Sequence, residues 1–578
     1  MWRSKAQAQQ QSAAEDCQTR SVVPDGTGEE GQQSAFSLQG IRALALAVLV
    51  LVLAGVSSTV SQLALSPVYG SVPSGIYHRR GFMLAALSGW IGKNRLNTIF
   101  FSRLKYFLPV LAFSIPTIQY FLFQQSNKLG PVRGPLVTEL LTYYPLAALS
   151  SYVAAFLLEG VSLGQCSRTI KDHGVFLGSY LLLSTVQKWT TAAIPRYIGS
   201  SIIYTRVGLQ LMIAILYAVS LPSKYLLLAV PSLLFTVGYN PHTPLAHSTA
   251  LLNSALQQEN YILLDRRESL TGYLSVLENE KSQFRVLRCD HSLLGGEWTW
   301  TPRGPKPKVA EPIYAVFTML EAIRLVESDD GSASKPDIDK NALVIGLGIG
   351  TTPAALITHG IDTTVVEIDP AVYELAIKYF TLPGNFTSEL RDAVEYVKDA
   401  RESRLKFDYI VHDVFTGGVE PVDLFTLEFM QGLHDLLADD GVIAVNYAGD
   451  LSLPSAGQVI RTVLSTFTSC RIFRESEQST NTDEGDFTNT VIFCKKTHGP
   501  LKFRKPVKAD FLGCRSREAY LLPKYEIDPA VFENSGDESQ SVLQAEKSSQ
   551  LQAWQFKGAV GHWHIMRGVL PPVVWENW

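Results

Sequence analysis

The chain has 578 residues, 46% of them hydrophobic and 18% charged, and a formal net charge of -4 at pH 7. Its length exceeds that of one compact domain, and a high apolar share with little charge is typical of proteins that contain a membrane region. Acidic and basic residues are nearly balanced, and no basic patch with interleaved aromatic residues stands out in the sequence. This argues against a nucleic-acid partner.

The first 240 residues predict a tail followed by a membrane region. Residues 1–39 are rich in Gln, Ser, Ala, Gly and Glu and have too few large apolar side chains to fold alone, which predicts a disordered tail. In residues 40–240 the first apolar segment carries a single charge, Arg42, and is long enough to cross a hydrocarbon core of about 30 Å. We expect about six or seven α-helical spans in this region, at 41–65, 106–123, 136–158, 175–193, 202–221 and 225–238, with 81–92 short enough to be a re-entrant or partial span.

Two further segments flank the region that carries most of the chemistry. Residues 241–310 contain stretches in which apolar and polar residues alternate, followed by a connector rich in proline and lysine, and they predict a small antiparallel β-subdomain. Residues 501–578 form a C-terminal extension that is rich in tryptophan near its end. We expect this extension to dock on the catalytic domain, with contact to a membrane interface as the alternative.

The most informative segment lies at 342–370, within a domain that we place at 311–500. A short apolar strand is followed by a glycine turn, formed by Gly346, Gly348 and Gly350, and then by a helix and a second strand that ends near Glu367. Glycine allows backbone N–H groups to approach a ligand closely, and an acidic residue roughly 20 residues further on can accept both ribose hydroxyls. The pattern predicts a nucleoside-binding crevice, with a tight turn that binds nothing as the alternative.

More strands and helices follow this unit in alternation. An apolar strand at 407–412 ends in Asp413, and a helix at 424–437 leads into another strand at 442–447. Such alternation predicts a doubly wound parallel sheet whose ligands lie at the carboxyl ends of the strands, where Asp392 and Asp413 would both lie. The expected fold is a multi-pass α-helical membrane region followed by an α/β Rossmann-like domain of the methyltransferase type, with a small β-subdomain.

Residues 261–496 resemble the spermidine/spermine synthase family of aminopropyltransferases, which is built on the S-adenosylmethionine methyltransferase fold. The motifs that carry the resemblance are VVEID at 365–369, RDAVEYV at 391–397, FDYIVHD at 407–413 and LFTLEFMQGLHDLLADDGVIAVN at 424–446. The resemblance implies that Glu367 holds the ribose, Asp392 the adenine amino group, and Asp413 the attacking amine, which it deprotonates. Tyr314 resembles the tyrosine of the substrate pocket.

Several positions depart from that family. Ile349 stands where the family's glycine loop carries an aspartate for the aminopropyl ammonium, Thr416 stands where a second aspartate follows the first, and Ala315 replaces a glutamine. Each lost carboxylate removes a partner for a cationic amine, which is costly to desolvate without one. The nucleoside half therefore looks retained and the polyamine half looks rebuilt.

Three functions remain open at this point. The first is a membrane-anchored transferase, resembling a spermidine/spermine synthase, that alkylates an amine from decarboxylated S-adenosylmethionine in polyamine metabolism. The second is an S-adenosylmethionine-dependent methyltransferase with a small or lipophilic acceptor, and the third is a catalytically silent nucleoside-binding membrane protein. In each case we expect no metal, contact with membrane lipid and a cytosolic catalytic domain, since the cosubstrate is cytosolic in most cells, and a homodimer is compatible with all three.

Two smaller patterns bear on the compartment. The six cysteines show no metal or redox spacing, so we expect reduced structural thiols. The triplet Asn385-Phe386-Thr387 fits a glycosylation acceptor, which a cytosolic domain would not use. A fragment that begins near His242 is expected to be soluble by itself.

Overall fold

The computed structural model describes residues 33–34, 38–100, 103–159, 161–162, 174–300, 307–328, 335–414, 420–478, 485–532, 542–546 and 551–578. Nearly all of the predicted N-terminal tail and the departure at Thr416 lie outside these residues. An α-helical region comes first, then a small antiparallel sheet, an α/β domain and a C-terminal extension.

The helical region is built from long apolar segments. Its helices are α1 Leu38–Tyr69, α2 Ser71–Gly75, α3 His78–Ile91, α4 Lys93–Phe100, α5 Leu108–Phe123, α6 Ser126–Leu141, α7 Tyr143–Glu159, α8 Val175–Ala193, α9 Arg206–Ser220, α10 Val230–Gly238 and α11 Ala246–Gln257. Two short strands, β1 Gln33–Ser34 and β2 Val161–Ser162, pair in parallel beside them.

Three stretches of the described chain are long and apolar enough to cross a membrane, namely Leu38–Tyr69, Leu104–Phe123 and Ser126–Glu159. Helices α9 and α10 have only 15 and 9 residues, and a span needs about 20. The expectation of about six or seven spans is therefore met only in part, because turns divide the later apolar segments into shorter helices.

A buried polar network fixes α1 against α3 and α6. The Glu139 carboxylate accepts a hydrogen bond from Ser61 Oγ at 2.7 Å and contacts His78 Nδ1, and His78 Nε2 lies 2.7 Å from Ser58 Oγ. Hydrogen bonds between buried polar side chains are a common means of joining apolar helices. The network holds the helix whose last residues reach the cavity described below.

The small sheet contains strands β3 Tyr261–Glu268, β4 Tyr273–Asn279, β5 Phe284–Cys289 and β6 Ser292–Trp298, which pair antiparallel in sequence order. The alternation seen in the sequence is typical of such a sheet. One of its faces packs on α11 and on the C-terminal residues Met566, Leu570, Val574 and Trp575.

The α/β domain contains eight strands and alternating helices. They are α12 Ala315–Leu320, β7 Asn341–Ile345, α13 Thr351–Thr358, β8 Asp362–Glu367, α14 Pro370–Tyr379, β9 Thr387–Leu390, α15 Ala393–Glu402, β10 Phe407–His412, α16 Leu427–Leu436, β11 Leu437–Asp450, α17 Pro454–Thr466, β12 Ser469–Arg474, β13 Phe487–Lys495, α18 Arg515–Tyr520 and β14 Tyr525–Ile527. Helices α19 Gln552–Val569 and α20 Pro572–Glu576 complete the chain.

The sheet of this domain is mixed, in the order β14-β12-β13-β11-β10-β7-β8-β9. Strands β9, β8, β7, β10 and β11 run parallel, as expected, whereas β13, β12 and β14 are antiparallel to their neighbours. The fully parallel sheet that the sequence predicted is thus corrected at one edge. Residues 475–486 join β12 to β13, a short connection of the kind that links antiparallel neighbours, and β13 pairs with β11 on its other side.

The C-terminal extension packs between the helical region and the small sheet. Trp563, Trp575 and Trp578 are buried. The Trp563 indole N–H donates to Val68 O at 3.0 Å, and the buried Arg288 guanidinium donates to Pro67 O at 2.7 Å and to Asn577 O at 2.9 Å. These contacts tie the helical region to the catalytic part and argue against an independently stable fragment that begins near residue 242.

Candidate active site

A cavity of about 880 Å³ lies at the carboxyl ends of the parallel strands. Its centre is the point where the strand order reverses, between β7 and β10. Open α/β sheets bind ligands at such a switch point, and the volume is within the range of small-molecule sites. The cavity has a nucleoside end, near the glycine turn, and an acceptor end, near Asp413, Glu420 and Asn446.

The three glycines of the turn all have left-handed backbone angles, with φ of +88° at Gly346, +55° at Gly348 and +82° at Gly350. A Cβ atom at Gly346 would lie 2.2 Å from the carbonyl oxygen of Asp413, and one at Gly348 would lie 2.6 Å from Leu294 O. The glycines are therefore required by neighbouring protein backbone as much as by ligand approach. The turn is locked against β10 on one side and β6 on the other.

Glu367 ends β8 and faces the cavity from a buried position. Its carboxylate accepts the backbone N–H of Leu347 at 3.0 Å and that of Asp369 at 2.9 Å, which fixes it beneath the glycine turn. Burial raises the pKa of Glu367 to about 7, although the two N–H donors oppose the rise. This carboxylate lies where the sequence predicted a ribose-binding acidic residue.

Asp392 lines the same end of the cavity from an exposed position. Its side chain accepts the backbone N–H of Val394 at 2.8 Å and caps the N-terminus of α15. The structure thus brings the glycine turn, Glu367 and Asp392 to one end of one cavity. The assignment of Asp392 to the adenine amino group stays a prediction.

Asp413 follows β10 at the acceptor end. Its Oδ1 accepts a hydrogen bond from Asn446 Nδ2 at 2.8 Å. Burial raises the pKa of Asp413 to about 6, and the hydrogen bond from Asn446 opposes that rise. The carboxylate is ionised at neutral pH yet is a better proton acceptor than an exposed aspartate, which suits a residue that receives a proton from an acceptor nitrogen.

Tyr314 lines the cavity with its hydroxyl buried and without a hydrogen-bond partner among the described residues. Burial raises the pKa of Tyr314 to about 12, and the nearby Glu475 carboxylate adds to the rise. The hydroxyl is therefore a neutral donor and acceptor at physiological pH. Glu475 itself accepts from Val316 N at 3.1 Å and from the Asn489 side chain.

Several residues that line the cavity were not predicted from the sequence. Asn446 lies inside a motif that carried the resemblance, but its role depends on the pairing of β10 with β11. Glu420 and Glu475 lie in loops with no distinctive spacing. The end of α1 and the following residues 69–73, together with His562 and Met566 of α19, also line the cavity, although the sequence assigned these segments to the membrane region and to the extension.

Ile349 has a different role from the one that its alignment implied. It is 5% exposed and packs in a cluster with Val276 and Leu287 of the small sheet and Leu375 of α14. The isoleucine therefore joins the glycine turn to the β-subdomain. Ile349 also lines the cavity, where its apolar side chain offers no counter-charge to a ligand.

Comparison with known proteins identifies the family. The chain is 49% identical over 558 residues to the N-terminal histidine N-methyltransferase of Emericella nidulans, a match that spans 94% of this chain and 99% of that protein. The chain belongs to the N-terminal histidine N-methyltransferase family. Residues 331–467 also match the spermine/spermidine synthase domain.

More distant similarities cover only the catalytic part. The polyamine aminopropyltransferase of Vibrio vulnificus is 33% identical over 139 residues, which is 23% of this chain and 46% of that protein. The structure of a probable spermidine synthase from Corynebacterium glutamicum aligns with a TM-score of 0.36 at 16% identity, over 48% of this chain and 94% of that chain.

These findings correct the function that the sequence favoured. The protein is a transferase that uses S-adenosylmethionine as cosubstrate, and the expected aminopropyl transfer from decarboxylated S-adenosylmethionine is wrong, because the relative that matches the whole chain is a methyltransferase. A glycine turn followed by an acidic residue is typical of nucleoside sites in general, so these motifs alone could not distinguish the two reactions. Within the described ranges no group of three or more His, Cys, Asp or Glu side chains is placed to hold a metal ion.

Proposed function

We propose that the protein is an S-adenosylmethionine-dependent methyltransferase that methylates a nitrogen of an N-terminal histidine on a polypeptide. The observation that carries the proposal is the 49% identity that extends over 94% of the chain. Because the match extends over 94% of the chain, it reaches far beyond residues 331–467, which match the spermine/spermidine synthase domain. A polypeptide N-terminus replaces the small or lipophilic acceptor expected from the sequence.

The residues of the cavity divide between two tasks in this proposal. S-adenosylmethionine, when bound, supplies a methyl group attached to a sulfonium. The leaving group is a neutral thioether, so its departure needs no acid. The glycine turn, Glu367 and Asp392 hold the nucleoside, so the methyl carbon is directed toward the acceptor end. The protein's main contribution is alignment of the nitrogen with that carbon.

Asp413 is the proposed proton acceptor of the reaction. Methylation forms a nitrogen–carbon bond while the bond between the methyl carbon and the sulfonium sulfur breaks. The imidazole nitrogen that attacks uses a free lone pair, and the methylated ring then loses the proton carried by its other nitrogen. We assign acceptance of that proton to Asp413, whose pKa of about 6 leaves it ionised at neutral pH. Asn446 is a positioning residue in this scheme, because its amide holds the Asp413 carboxylate at 2.8 Å.

We also propose that the helical region is embedded in a membrane and that the catalytic part faces away from the cytosol. The three long apolar stretches support the first statement. The second, which reverses the orientation expected from the sequence, is supported by a disulfide between Cys470 and Cys494. These residues lie directly opposite each other on β12 and β13, and disulfides persist mainly in oxidising compartments. The expected reduced thiols are corrected at this pair.

The proposed acceptor, an N-terminal histidine, also supports placement of the catalytic part on the non-cytosolic side of the membrane. Translation begins with methionine, so a histidine becomes N-terminal only after a preceding segment has been cleaved. Removal of a secretory signal peptide is a cleavage of this kind and exposes the new N-terminus on the non-cytosolic side. A membrane-held enzyme on that side would meet its acceptor directly after cleavage.

The test uses the full-length protein in detergent with S-adenosylmethionine and two synthetic peptides. One peptide begins with histidine, and the other carries one additional alanine before the same histidine. Mass spectrometry is expected to find one added methyl group on the first residue of the first peptide and none on the second. Equal methylation of both peptides, or of neither, would contradict the proposal.

A further inference from the structure

Two buried oxygen atoms at the acceptor end of the cavity lack hydrogen-bond partners. They are Glu420 Oε2 and Asn446 Oδ1, and both remain unpartnered across the part of the chain that the structure describes. Glu420 is 5% exposed and Asn446 8% exposed, and both side chains line the cavity. Buried polar atoms are almost always hydrogen-bonded, so each unpaired one needs an explanation.

Each of these oxygens is held in place by the rest of its residue. Tyr447 OH donates to the other carboxylate oxygen of Glu420 at 2.8 Å, and Gln555 Nε2 donates to the Glu420 backbone carbonyl at 3.0 Å. The Asn446 amide nitrogen is committed to Asp413, which leaves its oxygen as the free atom. Both free atoms are acceptors and neither is a donor.

The surroundings make this end of the cavity electrostatically negative. Asp413 and Glu475 line it as well. Arg391 is the one Lys or Arg among the described residues of the cavity wall, and its guanidinium is hydrogen-bonded to Asp399 at the nucleoside end. His562 adds no positive charge at neutral pH, because burial lowers its pKa to about 4. Burial also lowers the pKa of His291, and the Arg567 guanidinium lowers it further.

An ionised carboxylate oxygen in a buried position is costly unless a ligand pairs with it. A metal ion would need more protein ligands than the described chain brings together. A cationic group with several N–H donors matches two unpaired acceptors that line the same cavity beside the Asp413 carboxylate. The α-ammonium group of a polypeptide has three.

We propose that Glu420 Oε2, assisted by Asn446 Oδ1, binds the protonated α-amino group of the acceptor polypeptide and thereby selects a free N-terminus. This assignment rests on the proposed function. It places the enzyme's specificity for a free N-terminus in a residue that takes no part in the methyl-transfer step. An internal histidine or an acetylated N-terminus would leave the Glu420 carboxylate buried without a partner. Buried polar groups left unpaired are an effective means of rejecting a wrong substrate.

The experiment compares two peptides of identical sequence. One begins with histidine, and in the other the first residue is desamino-histidine, which keeps the imidazole ring and lacks the α-amino group. The full-length protein in detergent is assayed with S-adenosylmethionine, and kcat/KM is obtained for each peptide from methyl incorporation. The inhibition constant of each peptide against a third histidine-initiated peptide gives the same comparison where turnover is slow.

Wild type is expected to prefer the free α-amino group by about 10–100-fold, the scale of a hydrogen bond to a charged group. Glu420→Gln should reduce that ratio toward one, and Glu420→Asp should retain part of it. Glu402→Gln removes a carboxylate from an exposed position at the end of α15, away from the cavity, and should keep the wild-type ratio. Binding of S-adenosylhomocysteine, measured by calorimetry, verifies that each variant is folded.

The outcomes distinguish a failure of the proposed function from a failure of the Glu420 assignment. If wild type methylates neither peptide, the proposed function fails. If wild type is active but shows no preference, or if Glu420→Gln retains the full wild-type ratio, the assignment of Glu420 is overturned while the proposed function stands.

Discussion

Asn446 Nδ2 donates to Asp413 Oδ1 at 2.8 Å and joins the middle of β11 to the end of β10 at the acceptor end of the cavity. The two residues are 33 positions apart in the chain, and parallel pairing of the two strands brings them together. The bond keeps the carboxylate directed into the cavity in the absence of a ligand. Preorganisation of this kind reduces the reorganisation that the reaction requires.

Asp413→Asn is expected to lower kcat/KM by about 10²–10⁴-fold, the usual contribution of a positioned proton acceptor. The acceptor imidazole must also be neutral, and its pKa in a peptide is about 6.5. At saturating S-adenosylmethionine and below pH 6, log kcat/KM of wild type for the peptide should therefore rise with pH with a slope that approaches two, because Asp413 and the substrate both lose a proton. The variant should show a slope of one. A slope of one in wild type would exclude Asp413 as the proton acceptor.

The same pKa shift affects stability with the opposite sign. The pKa of the Asp413 carboxyl is raised from 3.8 to about 6 in the folded protein, so between these values the folded state binds more protons than the unfolded state. The free energy of unfolding therefore decreases as pH rises through this window, and this contribution is constant above it. The gain in activity is measured by kinetics and the loss of stability by thermal unfolding. Asp413→Asn should lack the loss of stability in this window and should keep only the part of the gain in activity that comes from deprotonation of the substrate.

Glu367→Gln is expected to weaken binding of S-adenosylhomocysteine by about 1–3 kcal/mol, the scale for loss of charged hydrogen bonds. Glutamine keeps an oxygen for the Leu347 or Asp369 N–H groups but loses the charge that favours the ribose hydroxyls. Isothermal titration calorimetry of wild type, Glu367→Gln and the exposed control Glu402→Gln gives the comparison. Unchanged affinity in folded Glu367→Gln would place the nucleoside elsewhere.

Gly346→Ala tests the role of the glycine turn. The substitution adds a methyl group 2.2 Å from the Asp413 carbonyl oxygen at a φ of +88°, and the left-handed conformation alone costs about 1–2 kcal/mol for alanine. We expect a lower midpoint of thermal unfolding and weaker binding of S-adenosylhomocysteine. Gly384→Ala is the matched control, since nothing lies within 4 Å of its added Cβ. Equal behaviour of the two variants would contradict the account of the turn.

The sequence could group the residues of the nucleoside end because they are local, and their roles toward a nucleoside stay predictions. Gly346, Gly348, Gly350 and Glu367 belong to one βαβ unit, whose strand, turn and helix signals are close together in the chain. The acceptor half could not be predicted in the same way. Asn446 and Glu420 acquire their roles only through strand pairing and loop packing, and neither residue type is distinctive by itself.

The bounds of the membrane spans and the packing of the C-terminal extension could not be predicted from the sequence either. Apolar length alone cannot divide a chain into spans where turns interrupt it, as between α9 and α10. Nor does a tryptophan-rich tail reveal what it packs against. Arg288 and Trp575 meet through the fold, with the guanidinium 5.1 Å from the ring. The resemblance to aminopropyltransferases covered the glycine turn and Asp413, but it did not include residues 69–73 or α19, which complete the cavity.

Trp575→Ala tests whether the extension holds the catalytic part to the helical region. Trp575 is fully buried, and its ring contacts His291 at 4.5 Å. Loss of a buried aromatic side chain of this size costs about 3–5 kcal/mol. We expect a large decrease in the midpoint of thermal unfolding in detergent, whereas Trp554→Ala, at a 40% exposed position, should have a small effect. Equal effects would show that the extension is not part of the packed unit.

The last prediction concerns the side of the membrane on which the catalytic part lies. The full sequence contains one triplet of the form Asn-X-Ser/Thr with X other than proline, at Asn385-Phe386-Thr387. Asn385 is exposed in the loop between α14 and β9, so it is accessible to the glycosylation machinery wherever the catalytic part enters the secretory pathway. Expressed in a eukaryotic host, the wild-type protein should lose apparent mass on treatment with an N-glycosidase, and Asn385→Gln should not. The catalytic part should also resist protease added to sealed microsomes, and Cys470 and Cys494 should be recovered as one disulfide-linked peptide pair. Protease cleavage of the catalytic part outside sealed vesicles, with both cysteines free to alkylation, would restore the cytosolic orientation.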